Sequence, residues 1–283
     1  MIAFRNGRLI PQSELALAYN DAGFVAGTTV TDYCRTHGQR LFRWPDHLAR
    51  LRHDCAICEI DVPYLDRELT SAAEAILADH VAMHPADTEF ALISFATPGP
   101  FGFMVGETAN GPPTVGMHVF PVPLNRYRRF FEEGASLEIV GVLPRVDSGI
   151  VPPNIKHRSR IHWSLAAQRR TCPENVPVLV DQFGGSPDTA IGSILAVVDG
   201  TVSRPKCGTV LESIGFKIAG EKCVELGIGL TEFDGDWRLH FARASEVLLC
   251  GSAFGIAGVR RVDGQEYAWP GPVLKSLEPL WWW

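Results

Sequence analysis

Residues 152–160 read Pro-Pro-Asn-Ile-Lys-His-Arg-Ser-Arg, so that Lys156 comes shortly after a Pro-Pro turn. Proline locks its own φ and restrains the residue before it, which makes the approach of the chain to this lysine rigid. Lysine can be neutralised by burial and used as a nucleophile, whereas arginine stays charged. The sequence also predicts a helix over residues 156–169. Lys156 is therefore the first candidate for chemistry.

The lysine content of the whole chain supports this choice. Only five of the 26 basic residues are lysines. The other four have ordinary loop or helix-surface contexts, and they are Lys206, Lys217, Lys222 and Lys275. The sequence thus singles out Lys156 as the lysine whose surroundings favour a nucleophile over a solvated cation.

Length and composition bound the class of protein. The chain has 283 residues, 46% of them apolar, which is enough for one large or two smaller domains and excludes a disordered chain or a coiled coil. A net charge of -6 argues against the clustered cationic face that nucleic-acid binding needs. No apolar run approaches the roughly 20 residues of a membrane span. The chain has seven cysteines, an odd number that is typical of reduced thiols, so we expect a cytoplasmic protein. From the charge and the apolar runs we expect neither a nucleic acid nor a membrane as partner.

Strand and helix patterns alternate in both halves of the chain, which predicts an α+β fold. The first half opens on a β-hairpin with Asn6-Gly7 at its turn and predicts a domain over residues 1–122. The polar segment 123–134 carries three arginines and few core candidates, so it is predicted to be an interdomain linker. Residues 135–283 form the predicted second domain.

Some histidines and cysteines lie at suggestive spacings without forming a site. Cys55 and Cys58 have CxxC spacing, but no second pair accompanies them, so we expect buried thiols. His80 and His84 share a helix face and lack a third ligand, so we expect surface histidines. The sequence therefore predicts no metal site.

Six short segments follow one another in an order that is more specific than any one of them. They are NDAGFVAGTTVTD at residues 20–32, DHLARL at 46–51, PNIK at 153–156, GGSPDTAIGS at 184–193 with Asp199-Gly200 after it, LESIG at 211–215 and CGSA at 250–253. Together they resemble the class IV, or fold type IV, pyridoxal-phosphate enzymes, which include branched-chain and D-amino acid aminotransferases and aminodeoxychorismate lyase. The resemblance covers nearly the whole chain.

This resemblance implies a fold, a cofactor and partners. The fold would be α+β with two domains, a smaller N-terminal α/β sandwich and a larger C-terminal β-barrel-like α+β domain that carries the cofactor lysine. The cofactor would be pyridoxal 5'-phosphate. The partners would be a small-molecule amino donor, a keto acid acceptor and a second copy of the chain in a homodimer.

The resemblance also implies roles for individual residues. Lys156 would form the Schiff base with the cofactor aldehyde and carry the proton. An arginine fork suits a phosphate dianion, and Arg50 would supply it, with the amides of Ile214 and Gly215 at a helix start as further donors. The remaining implied positions are Ser252 at the phosphate, Asp188 and Ser193 elsewhere at the cofactor, and Thr31, Ser252 and Ala253 at the substrate.

Several positions depart from the family pattern. Asp188 stands where the family has glutamate and is one methylene shorter, so it either faces the pyridine nitrogen or forms a turn. Ser193 replaces a common asparagine, and Phe216 replaces the arginine after the phosphate loop. The strand predicted at residues 90–95 has no arginine, although many relatives use one near here to grip the substrate carboxylate.

Three functions remain open at this point. The first is an aminotransferase that moves an amino group between an amino acid or amine and a keto acid. The second is an aminodeoxychorismate lyase-like β-elimination, because the residues after Lys156 resemble that pattern and Ile161 replaces the tyrosine usual in aminotransferases. The third is a catalytically degenerate family member that acts as a binding module.

Overall fold

The computed structural model describes residues 1–143 and 152–282, so residues 144–151 and Trp283 of the predicted second domain lie outside the described residues. The chain forms two compact units. The first unit comprises Met1–Val122 with Lys156–Ser159, and the second comprises Pro123–Ile155 with Arg160–Trp283. Both units mix strands and helices, which confirms the predicted α+β class.

An antiparallel sheet forms the frame of the first unit. Its strands are β1 (Ile2–Arg5), β2 (Arg8–Pro11), β3 (Val30–His37), β4 (Arg40–Leu41), β5 (Phe90–Thr97) and β6 (Thr114–Pro121). They lie in the order β2-β1-β6-β5-β3-β4. The hairpin β1-β2 turns at Asn6 and Gly7, which have φ of 46° and 82°, and this confirms the Asn-Gly turn because such turns need positive φ at both positions.

The helices of this unit are α1 (Ala22–Val25), α2 (Trp44–Ile57) and α3 (Asp66–Val81), with short 3-10 turns at Gln12–Glu14 and Gly102–Val105. Of these, α2 and α3 cover one face of the sheet. Apolar residues at helical spacing on α2 and α3 pack on alternate residues of the central strands. The resulting core includes Leu48, Leu51, Cys55, Leu69, Ala73, Ile76, Cys34, Leu92 and Met117.

The segment around Lys156 differs from its sequence prediction in two ways. The helix there, α5, begins at Ile161 and not at residue 156. Residues Lys156–Ser159 belong to the first unit, not to the predicted C-terminal domain. The physical reason is backbone pairing with β3: His157 forms an antiparallel bridge with Val30.

A nine-stranded sheet organises the second unit. Its strands are β7 (Ala135–Val142), β8 (Val176–Val180), β9 (Asp188–Thr189), β10 (Ser193–Val198), β11 (Thr201–Pro205), β12 (Leu230–Phe233), β13 (Glu246–Gly251), β14 (Gly255–Val262) and β15 (Gln265–Glu266). The order is β12-β11-β10-β13-β14-β7-β8-β9, with β15 on β14. The sheet curls, because β9 at one end of this order also lies beside β10.

Five helices pack around this sheet in the described part of the chain. They are α4 (Arg128–Glu132), α5 (Ile161–Arg169), α6 (Ile214–Leu226), α7 (Trp237–Arg243) and α8 (Pro272–Leu277), with 3-10 turns at Leu124–Arg126 and Glu278–Leu280. Gly227 ends α6 in the left-handed conformation that a non-glycine residue adopts only with strain.

The segment 123–134, which the sequence predicts to be an interdomain linker, is part of the second unit. It contains α4. Tyr127 and Phe130 are buried there, with ring centroids 5.2 and 5.5 Å from that of Phe254. Apolar side chains within a polar stretch thus anchor the segment.

The prediction for His80 was also wrong, because its side chain is fully buried on α3. Its Nδ1 lies 2.9 Å from the Ile76 carbonyl oxygen and its Nε2 lies 2.9 Å from Oε1 of Gln12. Among the residues described, no helix combines the length and the apolar character needed to cross a bilayer.

Candidate active site

Three hydrogen bonds hold the backbone around Lys156. The amide of Thr31 donates to the Lys156 carbonyl at 2.9 Å, and the amide of Arg158 donates to the Thr29 carbonyl at 2.9 Å. The Lys156 amide donates to Oδ2 of Asp54 at 2.8 Å. Lys156 is therefore presented from a short extended segment at the edge of β3, and its side chain is half-buried.

A buried carboxylate, Asp32, lies beside this segment on β3. Nδ1 of His47 donates to its Oδ1 at 2.6 Å, and Nε of Arg50 donates to its Oδ2 at 2.9 Å. A second guanidinium nitrogen of Arg50 lies 2.8 Å from the same oxygen. His47 and Arg50 stand three residues apart on α2, so one face of the helix brings both to Asp32.

The charges in this cluster follow from burial and pairing. Burial raises the pKa of Asp32, but the Arg50 guanidinium, the His47 contact and the Lys156 charge outweigh it and hold the pKa well below its usual range. Burial lowers the pKa of His47, although Asp32 opposes this. At neutral pH the cluster thus holds an ionised Asp32 beside cationic Arg50 and neutral His47, and Asp32 fixes the direction of the arginine fork.

In the second unit, the start of α6 offers backbone donors. Ser213 is the N-cap, and its hydroxyl accepts the Phe216 amide at 3.1 Å. The first amides of a helix have no partner within it. Among the described residues, the Ile214 and Gly215 amides make no hydrogen bond. They remain available to an anion, which the helix dipole also favours.

Gly215 is needed for close packing at this helix start. A Cβ added to Gly215 would lie 2.9 Å from Sγ of Cys250 on β13. Cys250 pairs with Ser193 across the sheet, and Ser252 follows two residues later in a turn. Cys250 therefore lies beside two sequence-predicted residues of the second unit, Gly215 and Ser193.

Asp188 and Ala253 have less defined surroundings. Asp188 begins β9, is half-buried and accepts the Thr189 amide at 2.8 Å. The Thr189 hydroxyl in turn accepts the Gly192 amide at 2.9 Å, which links Asp188 to the loop before Ser193. Ala253 is buried in the turn after β13. Asp188 is paired with Leu179 on β8, so it lies in a strand and not in a turn, and its role at the cofactor stays a prediction.

Sequence reasoning did not assign a role to Arg204, which also lies beside the start of α6. Its NH2 donates to both carboxylate oxygens of Glu212, at 2.8 and 2.7 Å. Its Cζ lies 4.4 Å from the centroid of the Phe216 ring. The Arg204 cation thus lies against Phe216, the residue that replaces the family arginine. No local sequence pattern indicates this contact, because β11 and α6 come together only in the folded chain.

Asp32, His47 and Asp54 are the residues of the first unit whose contacts sequence reasoning missed. Two of them stand in the segments at residues 20–32 and 46–51, and the His-x-x-Arg spacing on a helix is the signal that could have paired them. Of the predicted residues, Thr31, Arg50 and Lys156 share the first unit. Asp188, Ser193, Ile214, Gly215, Ser252 and Ala253 share the second.

These residues suit pyridoxal 5'-phosphate. In the second unit, the unpaired amides of Ile214 and Gly215 are donors of the kind that bind a phosphate dianion. In the first unit, the guanidinium of Arg50 is a cation of the kind that pairs with one. A lysine with a fixed backbone matches the cofactor aldehyde. The donor sets of both units therefore fit the cofactor, each by its own chemistry.

Comparison with known proteins agrees with this reading. The model of the family described as amino-transferase class IV matches residues 29–262. D-alanine aminotransferase of Staphylococcus haemolyticus is 30% identical over 74 residues, which are 26% of this chain and 26% of that protein. D-alanine aminotransferase of Bacillus licheniformis is 33% identical over 72 residues, or 25% of each chain. The alignments with these curated relatives thus span about a quarter of their length.

Solved structures show the same fold over almost the whole chain. Branched-chain amino acid aminotransferase of Escherichia coli has a TM-score of 0.85 at 21% identity, covering 98% of this chain and 92% of that one. The 4-amino-4-deoxychorismate lyase of Pseudomonas aeruginosa has a TM-score of 0.76 at 22% identity, covering 98% and 97%. With the family model matching most of its length, the chain belongs to the class IV aminotransferase family.

Proposed function

We propose that this protein is a pyridoxal-phosphate-dependent aminotransferase that moves an amino group between an amino acid or amine and a keto acid. The observation that carries the proposal is the clamp on Lys156, whose carbonyl and amide are both hydrogen-bonded within the first unit, to Thr31 and Asp54. A rigid backbone limits the positions that the lysine amine can reach, which favours reaction at one atom. Branched-chain and D-alanine aminotransferases among its relatives support the same activity.

Each group of residues has a defined task in this proposal. When bound, pyridoxal 5'-phosphate supplies an aldehyde that condenses with amines and a ring that accepts electron density. Lys156 holds the cofactor and, when its amine is neutral, moves a proton to and from the substrate Cα. Arg50, oriented by Asp32, and the amides of Ile214 and Gly215 bind the phosphate, with the Ser252 hydroxyl as a further donor.

In this proposal Asp188 contacts the pyridine nitrogen of the cofactor. A carboxylate there keeps the nitrogen protonated, which lets the ring accept charge from the substrate. Ser193 completes the cofactor contacts of the second unit, whereas Thr31, Ser252 and Ala253 contact the substrate. Replacing Asp188 by alanine would lower the rate of amino transfer and leave cofactor attachment to Lys156 intact; an unchanged rate would contradict this role of Asp188.

Reductive trapping tests the central claim. The purified protein is incubated with pyridoxal 5'-phosphate, reduced with borohydride and digested, and the peptide masses are measured. We expect the added mass on the peptide that contains Lys156, and none in the Lys156→Ala variant. The matched control is Lys217→Ala on α6, which should retain the added mass. If the Lys156 peptide of the wild type keeps its original mass, the enzymatic function is refuted, and the result supports a binding module that keeps the family's fold.

The lyase activity is the second candidate. It is favoured by the stretch from Lys156 to Ile161, which resembles the lyase pattern, and by the similar fold of a 4-amino-4-deoxychorismate lyase. Two assays on one preparation separate the activities. Amino transfer to a keto acid without pyruvate release from aminodeoxychorismate supports the transferase, and the opposite result supports the lyase.

The proposal extends to a homodimer in the cytoplasm. The chain has seven cysteines, and this odd number supports a reducing compartment. Light scattering of the purified protein tests the dimer: a mass near twice the 31.0 kDa of one chain is expected, and a monomeric mass would contradict it. Cell fractionation tests the compartment.

A further inference from the structure

The pairing of residues 156–158 with β3 sets the direction of their side chains. The bridge between Val30 and His157 and the two flanking hydrogen bonds make Thr31 the partner of Lys156 and Thr29 the partner of Arg158. Paired residues in an antiparallel ladder share a face, and successive residues alternate. Val30 lies in the core, so Lys156 and Arg158 leave the segment on the opposite face, the one that Thr31 shares.

Arg158 is an unusual cation on this face. Within the described residues its guanidinium makes no hydrogen bond or ion pair. The residue is exposed, yet the surrounding atoms displace enough water to lower its pKa. A guanidinium carries five donors and cannot lose its charge at ordinary pH, so one that has lost water without gaining an acceptor favours an anion.

Among the described residues, burial is the cause that lowers the Arg158 pKa, and no acidic side chain is found to oppose it. The charge of Arg158 reaches His118 on β6, where burial and then Arg158 lower the histidine pKa, so His118 is neutral at pH 7. His118 stands opposite Ile93, which stands opposite Tyr33 on β3. The Phe120 ring stacks on His118 with centroids 5.9 Å apart. Tyr33, Ile93 and His118 thus share one face of the sheet, and Arg158 lies close enough to His118 to affect its pKa.

The spacing of Arg158 from Lys156 suits an α-amino or α-keto acid. Residues two apart on an extended strand lie roughly 6.6 Å apart, and they project in the same direction. An arginine side chain bridges such a distance, and its fork matches a carboxylate. In an α-amino acid the reacting nitrogen and the carboxylate are attached to the same carbon, so a substrate that meets the Lys156 amine brings its carboxylate within reach of residue 158.

We propose that Arg158 binds the α-carboxylate of the substrate and so makes the enzyme specific for α-amino and α-keto acids. This inference rests on the proposed aminotransferase function. Arg158 supplies the contact with the substrate carboxylate that strand β5 lacks, because residues 90–97 contain no arginine. Arg158 acts by binding and orienting the substrate, and the proton transfer remains with Lys156.

The first test measures carboxylate binding to the cofactor-loaded enzyme. Propanoate is titrated against the visible absorbance of the bound cofactor, with propanamide as its neutral analogue. Replacing Arg158 by glutamine should weaken propanoate binding about 10- to 100-fold, as loss of a charged hydrogen-bond pair does, and leave propanamide binding unchanged. Arg158→Lys should restore part of the affinity. The control Arg67→Gln, at an exposed position of α3, should bind both ligands as the wild type does.

The kinetic form of the same test separates binding from chemistry. In Arg158→Gln the KM for pyruvate should rise by about the same factor as the dissociation constant of propanoate, and kcat should change less. The isolated half-reaction of the cofactor-loaded enzyme with an amine that lacks a carboxylate should be unaffected, whereas the half-reaction with an α-amino acid should be slowed at low substrate concentration. Equal loss in these two half-reactions, or loss of the borohydride-fixed cofactor in this variant, would show that Arg158 supports the cofactor or the fold and would overturn the inference.

A second readout needs no cofactor. The His118 ring signal is followed by nuclear magnetic resonance in the protein as purified, because His118 senses the charge of Arg158. Propanoate should shift this signal in the wild type and not in Arg158→Gln. If Lys156 takes up no cofactor but propanoate still shifts His118, the aminotransferase proposal fails and the anion site stands. If propanoate shifts the signal in neither protein, the anion site fails.

Discussion

Oδ2 of Asp54 accepts the backbone amide of Lys156 at 2.8 Å, across a sequence separation of 102 residues. Asp54 is 1% exposed and lies near the end of α2. A helix that also holds His47 and Arg50 against Asp32 therefore fixes the backbone of the lysine. The position of Lys156 relative to Arg50 follows from contacts within one unit.

We expect loss of this acceptor to weaken both the fold and the attachment of the cofactor. Asp54→Leu leaves the Lys156 amide without its partner, which should lower the free energy of unfolding by about 1–3 kcal/mol. Asp54→Asn keeps a carbonyl acceptor for the Lys156 amide, so its free energy of unfolding should fall less. Urea unfolding gives the stability, and the yield of borohydride-fixed cofactor reports the lysine position. A leucine variant with wild-type stability and yield would contradict a role for this contact.

The contact between Asp32 and Arg50 should be far stronger than a surface ion pair. Asp32→Asn leaves a buried guanidinium without its counter-charge, and breaking a buried pair in this way costs about 3–5 kcal/mol. The matched control is Asp66→Asn, because Asp66 pairs with Arg52 at side-chain exposures of 69% and 31%. Removing that exposed pair should cost about 1 kcal/mol or less. Equal losses in the free energy of unfolding of the two variants would show that the buried pair of Asp32 and Arg50 is no stronger than the exposed pair.

The pH dependence of stability should carry the signature of Asp32. Its pKa in the fold lies below the ordinary value of 3.8. The unfolded state therefore binds more protons between these two values, so the stability from this carboxylate is complete above about pH 4 and is lost as the pH falls toward the lower pKa. Urea unfolding from pH 2 to 6 should give a smaller acid-side slope for Asp32→Asn than for the wild type. Identical slopes would contradict the lowered pKa.

Two glycines in α6 should respond in opposite directions to the same substitution. Gly215→Ala places a Cβ 2.9 Å from Sγ of Cys250, so the helix start must shift, at a cost of about 1–3 kcal/mol and with weaker cofactor binding. A Cβ at Gly220 meets no atom within 4 Å, so Gly220→Ala should stabilise the protein by about 0.5–1 kcal/mol and leave cofactor binding unchanged. Thermal unfolding and cofactor titration of the pair test this, and two equal shifts would refute it.

Local patterns in the sequence predicted much of the fold correctly. The Asn6-Gly7 hairpin forms because its positive φ angles suit these residues. The periodic apolar faces of α2 and α3 and the glycine end of α6 have the same local origin, because helix period and capping depend on neighbours three or four residues away. The same local reasoning set Lys156 apart from the other four lysines.

Interactions between distant residues decided the rest. The segment after the Pro-Pro turn has a helical pattern, yet residues 156–158 are extended because β3 offers them backbone partners more than 120 positions earlier in the chain. His80 is buried because Gln12 reaches it, and Asp32 is ionised because α2 places Arg50 against it. The sequence alone thus determined the local elements and singled out Lys156 as the candidate reactive lysine. Only the tertiary structure decided what holds that lysine, because hydrogen bonds and charges across such separations leave no periodic signal in the chain.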